Sequence, residues 1–284
     1  MQKVDLVMWT KNGAETLPLV LKRIDEVIPA ESINKRVIVD DRSIDKTPGI
    51  AQRFGWTVVP NEGKGISDGA NTALRHVEAP FFVSFEQDLV LACDWWQKIP
   101  RLLTNPGVVV ASGVRISNSP RVVKEIQEYS MELYEHRART EETFLYGKTL
   151  DNTLYRTEVV RSLGGFPKLE ISAGVDNVLA QRIHSSGLKW AVDYSVKSVH
   201  LRKGLRQELD HYYWYGSCMV SLDPVLFGRN INLSKFALRW VLSPVRGLDI
   251  ALKKKNPEAL YVYPLMRLAT LRGIADGLRK NACA

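Results

Sequence analysis

The sequence predicts an α/β fold with a mostly parallel central sheet, helices on both of its faces, and a helical extension at its carboxyl end. Three observations carry this reading. Short β-rich runs alternate with helix-period segments through the first half of the chain. Each run is nearly continuous in apolar character, as in strands buried on both faces. After about Leu201 only helical spacing remains, so the domains are placed at 1–200 and 201–284.

The elements follow in order. Asp5 to Trp9 is a strand that stops at Thr10-Lys11-Asn12-Gly13, and Leu17, Val20, Leu21, Ile24, Val27 and Ile28 then recur at helical intervals. Arg36 to Val39 is a second strand running into Asp40-Asp41, and Thr57 to Pro60 a third. Ile66, Ala70, Ala73, Leu74 and Val77 mark a helix, and Pro80 to Phe85 a fourth strand. Between Gly113 and Asp151, Ile126, Tyr129, Leu133 and Arg137 share one helical face, and Thr143 to Gly147 reads as a mobile loop. In the tail, Asp210 to Leu222, Phe236 to Leu242, Leu248 to Leu252 and Leu260 to Leu278 carry helical patterns.

Composition excludes several classes. The 284 residues are 45% hydrophobic and 25% charged, which is ordinary for a globular chain and rules out disorder or collagen-like repeats. No apolar stretch approaches the roughly 18 residues of a membrane span, and the first residues lack the order of a signal peptide. A cytoplasmic protein is therefore expected. Cys93, Cys218 and Cys283 are odd in number and far apart, which fits neither a disulfide framework nor a zinc site. Charge is uneven: residues 1–200 balance 25 basic against 25 acidic groups, whereas residues 201–284 hold 14 against 6. A basic tail fits an anionic membrane surface, a nucleic acid, or a solvated helical face.

Ligands of open α/β sheets bind outside the carboxyl ends of the strands. Strand one delivers Thr10 and Asn12 there, strand two Asp40 and Asp41, and strand four Glu86, Gln87 and Asp88. Such a cluster of acids suits Mg²⁺ or Mn²⁺, which takes oxygen ligands and is commonly shared between carboxylates and substrate phosphates. Neither a P-loop nor Gly-x-Gly-x-x-Gly follows the first strand, against P-loop NTPases and dinucleotide oxidoreductases. Asp41 with Ser43 and Asp45 also suits a helix cap, and Glu86-Gln87-Asp88 a solvated turn.

These residues resemble family 2 glycosyltransferases. Val39-Asp40-Asp41-Arg42-Ser43-Ile44-Asp45-Lys46-Thr47 looks like their VDDGSxDxT segment, Asn61-Glu62-Gly63-Lys64-Gly65 with Asn71 like NxGxG...N, and Glu86-Gln87-Asp88 stands at Asp-x-Asp. Leu154-Tyr155-Arg156 with Leu163-Gly164-Gly165-Phe166-Pro167, then Gly174-Val175-Asp176-Asn177, then Ser198-Val199-His200 resemble later segments in the same order. The likeness covers about residues 3–217. Two departures matter for the site: Glu86 replaces the first acid of Asp-x-Asp, and Val175 the Glu of a Glu-Asp pair.

The resemblance implies a GT-A type fold and inverting transfer of a sugar from a nucleotide diphosphate sugar, UDP- or GDP-linked, to an acceptor hydroxyl, on a glycan or a lipid-linked glycan. By that likeness Asp88, with Glu86 and His200, holds Mg²⁺ or Mn²⁺, and Asp176 is the general base. Asp41 contacts the nucleobase with Asp40 as a second contact, Thr10 and Asn12 line its pocket, and Lys64, Asn71, Glu86 and Gln87 bind the donor. Asp151-Asn152-Thr153 is expected to face the donor sugar. His200 also reads as a buried histidine, and Asp176 as a helix cap.

Basic residues interleaved with Trp and Tyr in the tail suit a membrane interface, which places the protein peripherally on the cytoplasmic face. A helical subdomain packed on the sheet, or a dimer contact, accounts for the same pattern. An alternative reading is a polyprenyl-phosphate glycosyltransferase of the dolichol-phosphate mannose synthase type. A sugar nucleotidyltransferase lacks support, because its glycine-rich basic first loop is missing. A basic nucleic-acid-binding protein leaves the acids at the strand ends without a purpose, so no nucleic acid is expected.

Overall fold

The computed structural model describes residues 3–282 except 142–144, 146, 170 and 172. Most of the expected loop at Thr143 to Gly147, and Cys283, lie outside the described residues. The chain divides into two compact units, Met1–Arg115 with Arg137–Leu201, and Ile116–His136 with Arg202–Ala284. The stretch Ile116–His136 thus groups with the residues after Leu201.

The strands are β1 (Val4–Thr10), β2 (Ile33–Asp40), β3 (Thr57–Pro60), β4 (Phe81–Glu86), β5 (Leu89–Val90), β6 (Val108–Ser117), β7 (Asn152–Arg156) and β8 (Lys189–His200). The helices are α1 (Leu17–Val27), α2 (Thr47–Arg53), α3 (Gly65–Arg75), α4 (Trp95–Leu102), α5 (Arg121–Thr140), α6 (Thr157–Ser162), α7 (Val175–Ser185), α8 (Leu205–Phe227), α9 (Leu233–Val241), α10 (Ser243–Lys254) and α11 (Ala259–Ala282).

In the first unit the sheet order is β3-β2-β1-β4-β7-β6-β8-β5. The four strands expected from periodicity form its parallel part, β1 lying between β2 and β4 with β3 outside β2. Strands β7, β6 and β5 add antiparallel pairings, in the part of the chain where periodicity names no strand. Side chains alternate across a strand, and β1 shows the result. Leu6 and Met8 join Leu17, Leu21, Ile24 and Trp95 in one core, while Val7 and Trp9 join Ala70, Ala73, Phe166 and Leu179 in another. Both faces are therefore covered, as the unbroken apolar runs require. Gly113 in β6 marks a close approach, since a Cβ there would stand 2.7 Å from the Val196 carbonyl of β8.

The second unit is helical. Val122, Val123, Ile126 and Tyr129 of α5 pack with Ile250, Ala251, Ala259, Val262 and Met266 of α10 and α11. Helices α8 and α11 touch through glycines: a Cβ on Gly216 would stand 2.2 Å from the Thr270 carbonyl, and one on Gly273 2.0 Å from that of Tyr213. None of the described helices is long and apolar enough to cross a membrane.

Candidate active site

Strand register gathers the candidate residues. Thr10 pairs with Asp40, Trp9 with Glu86 and Phe85 with Asn152, so the carboxyl ends of β1, β2 and β4 and the amino end of β7 meet at one edge. The loops there are tied by side chains. Asn12, at φ 50°, donates its backbone N–H to Ser43 Oγ at 2.8 Å and accepts from the Ile44 N–H at 2.9 Å. The Gln87 amide accepts from the Lys11 N–H at 2.9 Å and donates to its carbonyl at 3.0 Å. Asn12 and Gln87, read as donor contacts, thus build the loop in this conformation.

The two acids of β2 differ. Asp40 accepts the Ser43 N–H at 3.0 Å, and its other oxygen is buried with no hydrogen-bond partner among the described residues, as is the Thr10 hydroxyl on the paired strand end. Asp41 accepts from Arg42 at 2.8 Å and from the Gly65 N–H at 3.1 Å, with the Lys11 ammonium 3.8 Å away. Exposed Lys64 precedes α3, its N–H on the Asp68 carboxylate at 2.9 Å. Asn71 is turned inward: its amide donates to the Ser67 and Phe166 carbonyls at 2.9 and 2.8 Å and accepts the Phe166 N–H at 3.0 Å. It pins the Gly164-Gly165-Phe166 turn to α3.

The acids after β4 have a partner from far along the chain. Leu89 of β5 pairs with His200 of β8, and the Leu201 N–H donates to the Asp88 carbonyl at 2.8 Å, which fixes Asp88 beside His200. His200 Nε2 lies 3.0 Å from Asp88 Oδ2, and one ligand atom each from Glu86, Asp88 and His200 fall within 4.8 Å of one another. Two carboxylates and an imidazole are a donor set that suits Mn²⁺ or Mg²⁺, so these residues fit the expected cation.

Behind them lies a charged group that the sequence reading missed. Arg115, from the end of β6, donates to Asp151 Oδ2 at 2.9 Å and stands 3.8 Å from Glu86 Oε2. The Asn152 amide donates to the other Asp151 oxygen at 3.0 Å. Asp151, Asn152 and Thr153 are all completely buried. The expectation that they face a donor sugar is corrected: Asp151 holds Arg115. Burial, reinforced by Asp151, pushes the Glu86 carboxyl up to about 8, against the pull of Arg115. Burial opposes the charge on Arg115, but the Asp151, Glu86 and Asp176 carboxylates outweigh it and raise the guanidinium above its ordinary value.

Asp176 belongs to the same electrostatic group. Gly174, at φ 87°, turns the chain into α7 in a conformation that suits glycine. The Asp176 carboxylate in the first turn accepts the Asn177 N–H at 2.8 Å. Burial raises it to about 6, opposed by Arg115 and by that hydrogen bond, with Asp151 adding to the rise. A carboxylate so placed is half-buried, ionised at neutral pH, and basic enough to take a proton.

The sequence and the fold are similar to those of known proteins. Residues 5–164 match the family described as Glycosyl transferase family 2. A dolichyl-phosphate hexose transferase of Haloferax volcanii is 26% identical over 163 residues, 56% of this chain and 68% of that protein. Among solved structures, the mannosyltransferase PcManGT from Pyrobaculum calidifontis, in complex with GDP-Man and Mn²⁺, superposes with a TM-score of 0.64 at 21% identity, over 99% of this chain and 75% of that one. The glucosyl-3-phosphoglycerate synthase of Mycobacterium tuberculosis, in complex with Mn²⁺, UDP and glucosyl-3-phosphoglycerate, gives 0.54 at 15% identity over 78% and 79%.

Proposed function

Because this chain belongs to glycosyl transferase family 2 and is a glycosyltransferase of GT-A fold, we propose that it moves a hexose, with inversion, from a nucleotide diphosphate sugar to an acceptor hydroxyl. The observation that carries the proposal is the Glu86, Asp88 and His200 group at the same strand edge as the unpartnered Thr10 hydroxyl and Asp40 oxygen. Those two buried groups supply hydrogen-bonding capacity for a nucleoside, and Asp41 beside them an anionic acceptor for a base N–H.

Glu86, Asp88 and His200 would hold a divalent cation, which when bound would offset negative charge on a leaving diphosphate. Asp176 takes the proton of the acceptor hydroxyl while the acceptor oxygen bonds to the anomeric carbon. The bond from that carbon to the diphosphate oxygen breaks, and the nucleoside diphosphate leaves with the electron pair. Arg115 is a positioning residue, keeping the Asp151, Glu86 and Asp176 carboxylates at close quarters.

A second reading is favoured by the name of the Haloferax volcanii relative: an acceptor of the polyprenyl phosphate type, already ionised and needing no base. The test is a thermal-shift panel of UDP-, GDP- and dTDP-sugars with and without Mn²⁺, followed by transfer to hydroxyl and phosphate acceptors. One nucleotide should raise the midpoint only with Mn²⁺, and Asp88→Asn should abolish that part while keeping the fold. Metal-dependent stabilisation that persists in Asp88→Asn overturns the metal assignment.

A further inference from the structure

The surface of the second unit is unusual at α9 and α10. Leu242 closes α9 and opens α10, so the two helices follow one another without an intervening loop. Val241 ends α9, and Val245, Leu248 and Leu252 of α10 recur at intervals of three and four, the spacing of one helical stripe. Such a stripe ordinarily faces a core. Here it is open to solvent, the four side chains being 63, 71, 48 and 71% exposed, with Leu238 and Leu242 beside them at 58 and 55%.

The stripe is not the core face of α10, which is already filled. Ser243, Gly247, Ile250 and Ala251 are buried on the other side, and a Cβ on Gly247 would stand 2.9 Å from the Ala259 carbonyl of α11. Cations outnumber acids along the two helices. From Lys235 to Glu258 the chain carries Lys235, Arg239, Arg246, Lys253, Lys254 and Lys255 against only Asp249 and Glu258. Asp249 is itself engaged by Tyr129 and Lys253, while Arg246 donates to Tyr129 and Lys254 to Glu132. Lys235, Arg239, Lys253 and Lys255 are exposed.

We propose that α9 and α10 dock in the plane of an anionic lipid surface, the stripe at the acyl boundary and the exposed cations Lys235, Arg239, Lys253 and Lys255 among the phosphate headgroups. Charge complementarity chooses this occupant. A second copy would bring the same cations against these across a two-fold interface, whereas an anionic leaflet attracts them while the apolar stripe partitions into it. Trp240, half-exposed at the end of α9, is of the type that settles at a headgroup boundary. No described helix is built to cross the bilayer, so the contact is in-plane. The proposal does not rest on the transferase reading, and its test uses neither donor nor acceptor.

Full-length protein is sedimented with vesicles of phosphatidylcholine alone or with about one-third phosphatidylglycerol, at low and high salt. Binding should favour the anionic vesicles about tenfold or more at low salt, and Trp240 emission should shift to the blue, a shift that Trp240→Phe removes. Val245→Asp with Leu252→Asp should lower partition about tenfold or more with circular dichroism unchanged. If that pair fails to fold, Lys235→Gln with Lys253→Gln and Lys255→Gln should abolish the anionic preference. Equal or absent binding to the two vesicle types overturns the proposal, as does retention within about twofold in the folded aspartate or glutamine variants. A vesicle-free dimer that Val245→Asp with Leu252→Asp dissociates also overturns it, in favour of a second copy.

Discussion

Arg42 donates to the carboxylate of its own neighbour, Asp41, at 2.8 Å, from a left-handed backbone with φ 60°. The glycosyltransferase pattern that this segment resembles has glycine at that position, and the positive φ explains why. An L side chain there costs on the order of 1 kcal/mol, and the guanidinium is held by Asp41 and by the Gly63 carbonyl at 2.9 Å. The pair is worth under about 1 kcal/mol because Arg42 is largely exposed. Arg42→Gly should therefore leave thermal stability nearly unchanged while freeing Asp41, and tighten nucleotide binding about two- to fivefold by calorimetry. Weakening by more than about threefold would mean that Arg42 itself touches the nucleotide.

Asn71 separates a donor contact from a structural one. With its amide bonded to the Phe166 and Ser67 backbone, Asn71→Ala leaves those groups without their partner and should cost about 1–3 kcal/mol in urea unfolding. Donor affinity of the folded fraction should change less than about threefold. A large loss of affinity with unchanged stability would restore the direct donor contact.

Arg115 and Asp151 form an ion pair in which the carboxylate has no solvent exposure. Removing one partner of such a pair leaves an uncompensated charge, typically worth about 3–5 kcal/mol. Arg115→Met should cost that much, and Arg115→Met with Asp151→Asn should recover part of it, because an amide needs no counter-charge. A cost under about 1 kcal/mol for Arg115→Met would show that water or Asn152 suffices for Asp151.

Much of this edge was readable from the residues. Thr10, Asp40, Asp41, Glu86 and Asp88 each follow an apolar run, and the carboxyl ends of parallel strands are where such runs deliver side chains. Arg115 was not readable as a partner of Asp151, because 36 positions separate them and only the pairing of β6 with β7 brings them together. A signal existed: one arginine inside Val108–Ser117, a run otherwise apolar or small, is a charge that must find a partner. The hydrogen bonds of Asn71 and Gln87 depend on where neighbouring backbones pass, which spacing does not encode. Periodicity likewise finds the stripe on α10 but not whether another element covers it.

Asp176 gives the sharpest test of mechanism, because its raised value predicts opposite effects on activity and stability. A general base works deprotonated, so kcat/KM should fall about tenfold per unit as pH drops below about 6, the value to which burial raises this carboxyl. The stability argument takes the reverse sign. A carboxyl whose folded value lies above its ordinary one favours the fold while protonated, and that contribution is lost as pH rises through about 6. Asp176→Asn, which does not titrate, should therefore melt higher than the parent at about pH 8 and equally at about pH 4. At about pH 8 its kcat should be lower by about 10² to 10⁴ with donor affinity nearly unchanged, a gap that narrows as the pH falls below about 6. A residue serving only the first turn of α7 would show neither the rate loss nor the acid limb. Turnover within about threefold of the parent on a proven hydroxyl acceptor removes the base role from Asp176. An ionised acceptor of the polyprenyl phosphate type then becomes the better reading, since it has no proton to give up.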